Sequence, residues 1–135
     1  MARFLIDSHI FLWSIDAPER LLQAEASLLR DSSNEIAVSV VTFWELSLKL
    51  GKGGLVLSPG KATPDDGYFA RHATTAGFMT IPIEAPETEY VRRLPEIHRD
   101  PFDRLLIAQA LLSGRSIVTR DSVFSEYPGV RVFGA

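Results

Sequence analysis

Short apolar runs alternate with segments of helical pattern along the 135 residues of the chain. The apolar runs predict strands at 2–7, 35–40, 78–83, 116–119 and 130–134. The periodic segments predict helices at 19–31, 42–54, 65–77, 85–94 and 100–114, and a Ser-Pro-Gly turn marks a loop at 55–64. Because this alternation favours right-handed crossovers, we expect a three-layer α/β/α fold with a central parallel sheet of about four to five strands. We expect residues 1–135 to form one domain.

Composition narrows the chemistry that the chain can carry out. The absence of cysteine excludes disulfides, thiolate zinc sites, iron–sulfur clusters and a cysteine nucleophile, and it suits a reducing cytoplasm. Asp7 and His9 interrupt the stretch that resembles a secretory leader, and no apolar run reaches the roughly 20 residues that span a membrane. We therefore expect a soluble, cytoplasmic protein without a membrane partner.

Four carboxylates are expected at one edge of the predicted sheet. Asp7 ends the first strand, and Asp121 follows the fourth strand by two residues. Glu45 lies near the start of the helix after the second strand, and Asp103 opens the long helix that leads into the fourth. In open parallel sheets the functional crevice lies beyond the carboxyl ends of the strands, where the strand order reverses. These four acids are therefore candidate site residues.

Each acid also has a purely structural interpretation. Asp7 and Asp121 fit helix N-caps, and residues 42–45 match the pattern of a capping box. Residues 100–103 form a good helix start, in which the charge of Asp103 complements the helix dipole. These alternatives remain open for each acid taken singly.

The position of Asp103 argues for more than a cap. It shares one helical stripe with Leu106, Ile107 and Ala110, so its side chain is expected at the top of a core-facing ridge. Clustered, partly buried carboxylates need protons or cations, and oxygen ligands without cysteine suit Mg²⁺ or Mn²⁺ rather than zinc.

The formal net charge of −3 does not exclude a nucleic-acid partner. Phosphate binding normally leaves a basic footprint on a protein. If four carboxylates hold metal, however, the remainder of the chain is weakly positive, and bound cations add positive charge at the site. Net charge therefore does not decide the class of partner.

Four segments carry a family resemblance, and in chain order they are "LIDSHIFLW", "SVVTFWELSLKLGKG", "HRDPFDRLLIAQAL" and "IVTRD". Together they resemble the PIN-domain ribonucleases, in particular the VapC-type toxins of type II toxin–antitoxin pairs. The resemblance extends from residue 3 to about residue 133. It implies a PIN-like domain in which Asp7, Glu45, Asp103 and Asp121 are the catalytic, metal-binding residues.

The activity that this resemblance implies is an endoribonuclease that hydrolyses RNA phosphodiester bonds with water activated by Mg²⁺ or Mn²⁺. Ser8 and Thr119 are candidates for positioning water or phosphate, with local capping as the alternative. Arg104 and Arg120 are candidates for phosphate contacts, with surface ion pairs as the alternative. We expect His98 and Asp100 to have loop or capping roles.

The resemblance also implies partners. These are an RNA substrate and a small DNA-binding antitoxin whose C-terminal part lies across the acidic groove, with a homodimer also expected. Apolar residues of the early helices are expected mainly in the core, and otherwise at a dimer or antitoxin contact; they are Phe11, Leu12, Trp13, Phe43 and Trp44.

Two other functions stay open. One is a catalytically silent PIN-fold module that binds RNA or serves as a scaffold. The other is a receiver-like signalling domain, which needs a pair of acids near the first strand and a lysine after a later strand, where Arg120 stands here.

Overall fold

A computed structural model describes residues 2–58 and 64–134 of the chain. Four parallel strands form one sheet in the order β3-β2-β1-β4. Their bounds are β1 Arg3–Ile6, β2 Glu35–Ser39, β3 Met79–Ile81 and β4 Ser116–Val118. The chain builds outward from β1 to β3 and then returns to place β4 on the other side of β1. The strand order therefore reverses at β1, and the carboxyl ends of β1 and β4 flank the crevice expected of such sheets.

Helices connect the strands and cover both faces of the sheet. Their bounds are α1 Ser8–Asp16, α2 Gln23–Arg30, α3 Val40–Gly51, α4 Tyr68–Thr75, α5 Ala85–Tyr90 and α6 Pro101–Ser113. In the described parts of the chain, short 3₁₀ turns at Pro18–Arg20, Val91–Arg93 and Ser122–Glu126 follow α1, α5 and β4. Helix α1 lies outside the helical bounds predicted from the sequence, and it contributes Ile10 and Phe11 to the core.

The core consists of two layers because successive strand residues point to opposite faces. Leu5, Ala37 and Ile117 lie on one face in a cluster with the buried residues of α6. Their neighbours Ile6, Val38 and Val118 lie on the other face, in the cluster to which α1, α2 and α4 contribute. The predicted three-layer α/β/α arrangement is confirmed.

The expected fifth strand at 130–134 is wrong. Only Val132 forms an isolated parallel bridge, to Ile117. Two backbone hydrogen bonds fix this bridge, from the Ile117 amide to the Arg131 carbonyl and from the Phe133 amide to the Ile117 carbonyl. Gly134 then turns away with φ of +79°, so the pairing ends after one residue.

Two further boundaries differ from expectation. The helix predicted at 19–31 begins at Gln23, because Pro18 starts a 3₁₀ turn. Residues 59–63 of the loop predicted at 55–64, including most of its Ser-Pro-Gly turn, lie outside the described residues. Within residues 2–58 and 64–134, every helix is too short or too polar to cross a membrane.

Candidate active site

Asp7 occupies the end of β1 and is anchored through both of its carboxylate oxygens. Its Oδ1 accepts a hydrogen bond from the Ile10 amide at 2.9 Å and so caps α1. Its Oδ2 accepts from the Thr119 hydroxyl at 2.5 Å, which joins the ends of β1 and β4. The carboxylate is buried, and burial raises the pKa of Asp7, although the bonds from Ile10 and Thr119 oppose that effect. The capping interpretation of Asp7 is therefore correct, but the second oxygen lies in a network between two strands.

Glu45 projects from α3 into the same crevice and is 4% exposed. The Ser8 hydroxyl donates to its Oε1 at 2.5 Å, and the Lys49 ammonium lies 2.7 Å from its Oε2. The capping-box interpretation of residues 42–45 is wrong, because α3 begins earlier, with Ser39 as its cap. Ser39 Oγ accepts from the Val41 amide at 3.0 Å. Glu45 is thus free of a capping role.

Asp103 lies in the first turn of α6, whose N-cap is Asp100. The His98 Nε2 atom lies 2.8 Å from Asp103 Oδ2. Burial, followed by the negative charges of Asp100 and Glu45, raises the pKa of Asp103 to about 7, while His98 acts in the opposite direction. The partly buried surroundings of Asp103 therefore disfavour the ionised form of its carboxyl group.

Asp121 follows β4 and also serves as a cap. Its Oδ1 accepts from the Val123 amide at 3.0 Å, which fixes the 3₁₀ turn Ser122–Glu126. Its own amide donates to Thr119 Oγ1 at 3.0 Å, and its Oδ2 lies 3.9 Å from His98 Nε2. Hydrogen bonds of Thr119 therefore link Asp121 to Asp7, and the His98 ring lies between Asp121 and Asp103.

The four acids consequently gather at one edge of the sheet. His98, Asp103 and Asp121 present ligand atoms that all lie within 4.8 Å of one another. Glu45 is close enough to both Asp7 and Asp103 that its charge raises the pKa of each of them. Of the accessory candidates, Ser8 and Thr119 lie inside this network as donors to two of the acids.

The two accessory arginines are engaged with other groups of the protein. Arg104 donates to the carbonyls of Pro95 and Val91, both at 2.9 Å. The Arg120 guanidinium pairs with Glu25 at 3.0 and 2.6 Å, and Glu25 is 4% exposed. These contacts favour structural roles over phosphate binding for both guanidinium groups.

His98 is the site residue that sequence reasoning missed. A loop role was expected for it, and the structure instead places its ring between Asp103 and Asp121. No local pattern signalled this position, because the loop that carries His98 is held by a bond from the His98 amide to the Tyr127 hydroxyl.

The chain is similar to a known family of proteins. Residues 4–130 match the PIN domain family. The chain is 31% identical over 124 residues to Ribonuclease VapC22 of Mycobacterium tuberculosis, which covers 90% of this chain and 88% of that protein.

Solved structures with the same fold include a DNA-bound VapBC2 structure and a toxin–antitoxin complex. VapBC2 from Rickettsia felis bound to a promoter DNA fragment matches with a TM-score of 0.67 at 16% identity, over 96% of both chains. A toxin–antitoxin complex from Klebsiella pneumoniae matches with a TM-score of 0.60 at 20% identity, over 96% of this chain and 95% of that one. The resemblance to VapC-type PIN domains found in the sequence is confirmed, and the chain belongs to the PIN-domain family.

Proposed function

We propose that this chain is a divalent-metal-dependent endoribonuclease and the toxin of a toxin–antitoxin pair. The observation that carries the proposal is the convergence of Asp7, Glu45, Asp103 and Asp121 at the point where the strand order reverses. The 31% identity to a ribonuclease over most of the chain supports the same activity.

The residues at the site fit a divalent cation. Asp103 and Asp121 offer carboxylate oxygens within 4.8 Å of each other, the type of ligand that Mg²⁺ and Mn²⁺ prefer. The pKa of Asp103 is raised to about 7 by burial and by neighbouring carboxylates, so a cation would relieve an existing repulsion. When bound, the cation supplies the Lewis acidity that makes water a nucleophile at neutral pH.

The surrounding side chains hold the acids in position. Thr119 orients Asp7, Ser8 and Lys49 orient Glu45, and His98 orients Asp103, each through a hydrogen bond or ion pair of 2.5 to 2.8 Å. Because these contacts exist before substrate binds, little reorganisation is needed when an RNA phosphodiester enters the site.

The proposed partners are an antitoxin and a second copy of the chain, and the proposed compartment is the cytoplasm. An antitoxin would place an arginine or lysine among the four acids, because opposite charges attract strongly in a partly desolvated cleft. A homodimer would cover the exposed apolar side chains of α3, where Trp44 and Leu48 are 53% and 40% exposed. A chain without cysteine and without a membrane-crossing helix in its described residues suits the cytoplasm, where RNA is available.

Controlled expression tests the toxin proposal. The wild-type chain expressed alone should arrest growth, and the Asp7→Asn chain should not. Co-expression of the protein encoded next to it should restore growth.

The matched control is Asp66→Asn, which changes an exposed carboxylate outside the four acids and should remain toxic. Normal growth with abundant, soluble wild-type chain would refute the toxin proposal and favour the silent RNA-binding module. Equal toxicity of Asp7→Asn would refute the role given to the acids.

A further inference from the structure

A pocket of about 480 Å³ lies between α1 and α3, beside Glu45 of the four acids. We call it the Trp13 pocket, after the indole that forms part of its wall. Its volume is within the ~300–1,000 Å³ range of small-molecule sites. Leu12, Leu46 and Leu55 complete the apolar part of the lining.

The Trp13 pocket shares two residues with the acidic site. Ser8 and Lys49 both line the pocket, and both contact the carboxylate of Glu45. The side chains of Ser8 and Lys49 therefore separate a molecule in the pocket from Glu45, one of the four acids.

Two cationic side chains, Arg20 and Lys49, line the pocket, and none of the described residues that line it is a carboxylate. The ammonium of Lys49 has three donors, and its contact with Glu45 engages one of them. The positive charge of Arg20 and Lys49 in the lining indicates an anionic ligand rather than a basic peptide.

The indole wall of the pocket is held in place. The Arg120 guanidinium lies 4.5 Å from the Trp13 ring centroid, and the buried carboxylate of Glu25 fixes that guanidinium with two hydrogen bonds. The Arg20 guanidinium lies 4.8 Å from the same ring. Two guanidinium groups therefore lie over the Trp13 ring and hold the indole in place, and that of Arg20 adds a cation at the pocket, where it suits a phosphate.

We propose that the Trp13 pocket binds one nucleotide of the RNA strand, adjacent to the phosphodiester that is cut. The base lies against Leu12, Leu46 and Leu55, beside the Trp13 indole, and the phosphate is held by Arg20 and Lys49. The inference rests on the proposed ribonuclease function and adds a specificity subsite to it.

The two tryptophans of the chain provide an internal comparison. Trp13 lines the pocket, whereas Trp44 lies 53% exposed on α3 against Phe102, outside the lining. Titration of ¹⁵N-labelled protein with 5′-AMP, CMP, GMP and UMP in Mg²⁺ is followed at the two indole N–H signals, assigned with Trp44→Phe. A mononucleotide has no phosphodiester bond, so no turnover interferes.

We expect the Trp13 signal to shift saturably with at least one mononucleotide, while inorganic phosphate does not reproduce the shift. Arg20→Gln should weaken the affinity for the mononucleotide by about threefold to tenfold, the effect of losing one exposed charged contact. Leu55→Asp should abolish the shift, because it places a carboxylate in the pocket. The control Arg92→Gln, an exposed arginine outside the pocket, should bind as wild type does.

Three results would overturn the proposal: no movement of Trp13 with any mononucleotide, equal movement with phosphate, or unchanged affinity in both pocket variants. The first is also the result expected if the pocket accommodates a protein partner. Cleavage assays separate the inference from the function. Wild type that cuts RNA without a Trp13 shift refutes the subsite alone, and a Trp13 shift without RNA cleavage refutes the function alone.

Discussion

In two of the four acids, the two oxygens of the same carboxylate have different partners. Asp7 and Asp121 each commit Oδ1 to a helix cap, while Oδ2 faces a neighbour in the acidic network. The capping and site interpretations of these residues are therefore compatible. A capping bond fixes the carboxylate and so orients its other oxygen.

Asp103 should weaken the metal-free protein near neutral pH. Its pKa is raised from 3.8 to about 7, so the folded state prefers the protonated form and loses stability as pH rises across that interval. Asp103→Asn removes this effect. Each unit of pKa difference between the folded and unfolded states corresponds to about 1.4 kcal/mol in the free energy of unfolding. In EDTA, the melting temperature of Asp103→Asn should rise relative to that of wild type as the pH is raised from 4 to 8. A gain that is constant with pH, or equal to that of the exposed control Asp66→Asn, would contradict this account.

The buried Glu25 carboxylate should contribute stability through Arg120. The hydrogen bond from Arg120 lowers the pKa of Glu25 below 4.5, so this contribution is present above that pH and disappears as pH falls through the lowered value. Urea unfolding at pH 7 should show Glu25→Gln less stable by about 1–3 kcal/mol. The difference should shrink toward pH 3, and the exposed control Glu19→Gln should behave as wild type. A loss that does not depend on pH would indicate packing rather than the ion pair.

At the scale of elements, α6 shows what local sequence can predict. Asp100 caps it, Pro101 occupies its first turn, and Gly114 ends it with φ of +73°, as the segment 100–114 indicated. The stripe below Asp103 is buried as expected, with Leu106 and Ile107 in the core. These features depend on neighbours in sequence, which is why they were predictable.

Contacts that depend on loops were not predictable. His98 reaches Asp103 because the loop before α6 is held by Arg104 and by the Tyr127 hydroxyl, which accepts from the His98 amide at 2.8 Å. Tyr127 is 29 residues away, so no local pattern encodes this contact. The fifth strand failed for a related reason, since pairing depends on register against β4 and not on apolar content alone.

The cap of α6 can be tested without changing the four acids. Asp100 Oδ1 accepts from the Phe102 amide at 2.9 Å. Asp100→Ala should therefore lower the free energy of unfolding, measured in urea, by about 0.5–2 kcal/mol. Asp100→Asn should lower it little, because asparagine caps as well as aspartate. Equal losses in both variants would indicate that charge, rather than capping, matters at this position.

At the scale of the whole molecule, the strand order determines the site. Asp7 and Thr119 are 112 residues apart, yet they bond directly because β4 lies beside β1. The alternation of strands and helices predicted this edge of the sheet and the four acids on it. It could not predict which oxygens face each other, since that depends on the packed side chains.

Divalent cations should stabilise the folded protein. A ligand that binds only the folded state adds about 2.7 kcal/mol at a hundredfold excess over its Kd. We expect the melting temperature to rise in Mg²⁺ or Mn²⁺ relative to EDTA, for wild type and for Asp66→Asn. The rise should be reduced in Asp103→Asn and Asp121→Asn, which each remove one ligand oxygen. An identical rise in all four proteins would place the cation elsewhere.

Cleavage of RNA by purified protein tests most directly whether the four acids form a metal-dependent ribonuclease site. Total RNA is incubated with wild type, Asp7→Asn and Asp66→Asn, each in Mg²⁺ and in EDTA, after circular dichroism has established that all three are folded. We predict cleavage by wild type and Asp66→Asn in Mg²⁺ only, and none by Asp7→Asn in either condition. Cleavage by Asp7→Asn at the wild-type rate, or cleavage by wild type that persists in EDTA, would contradict the account.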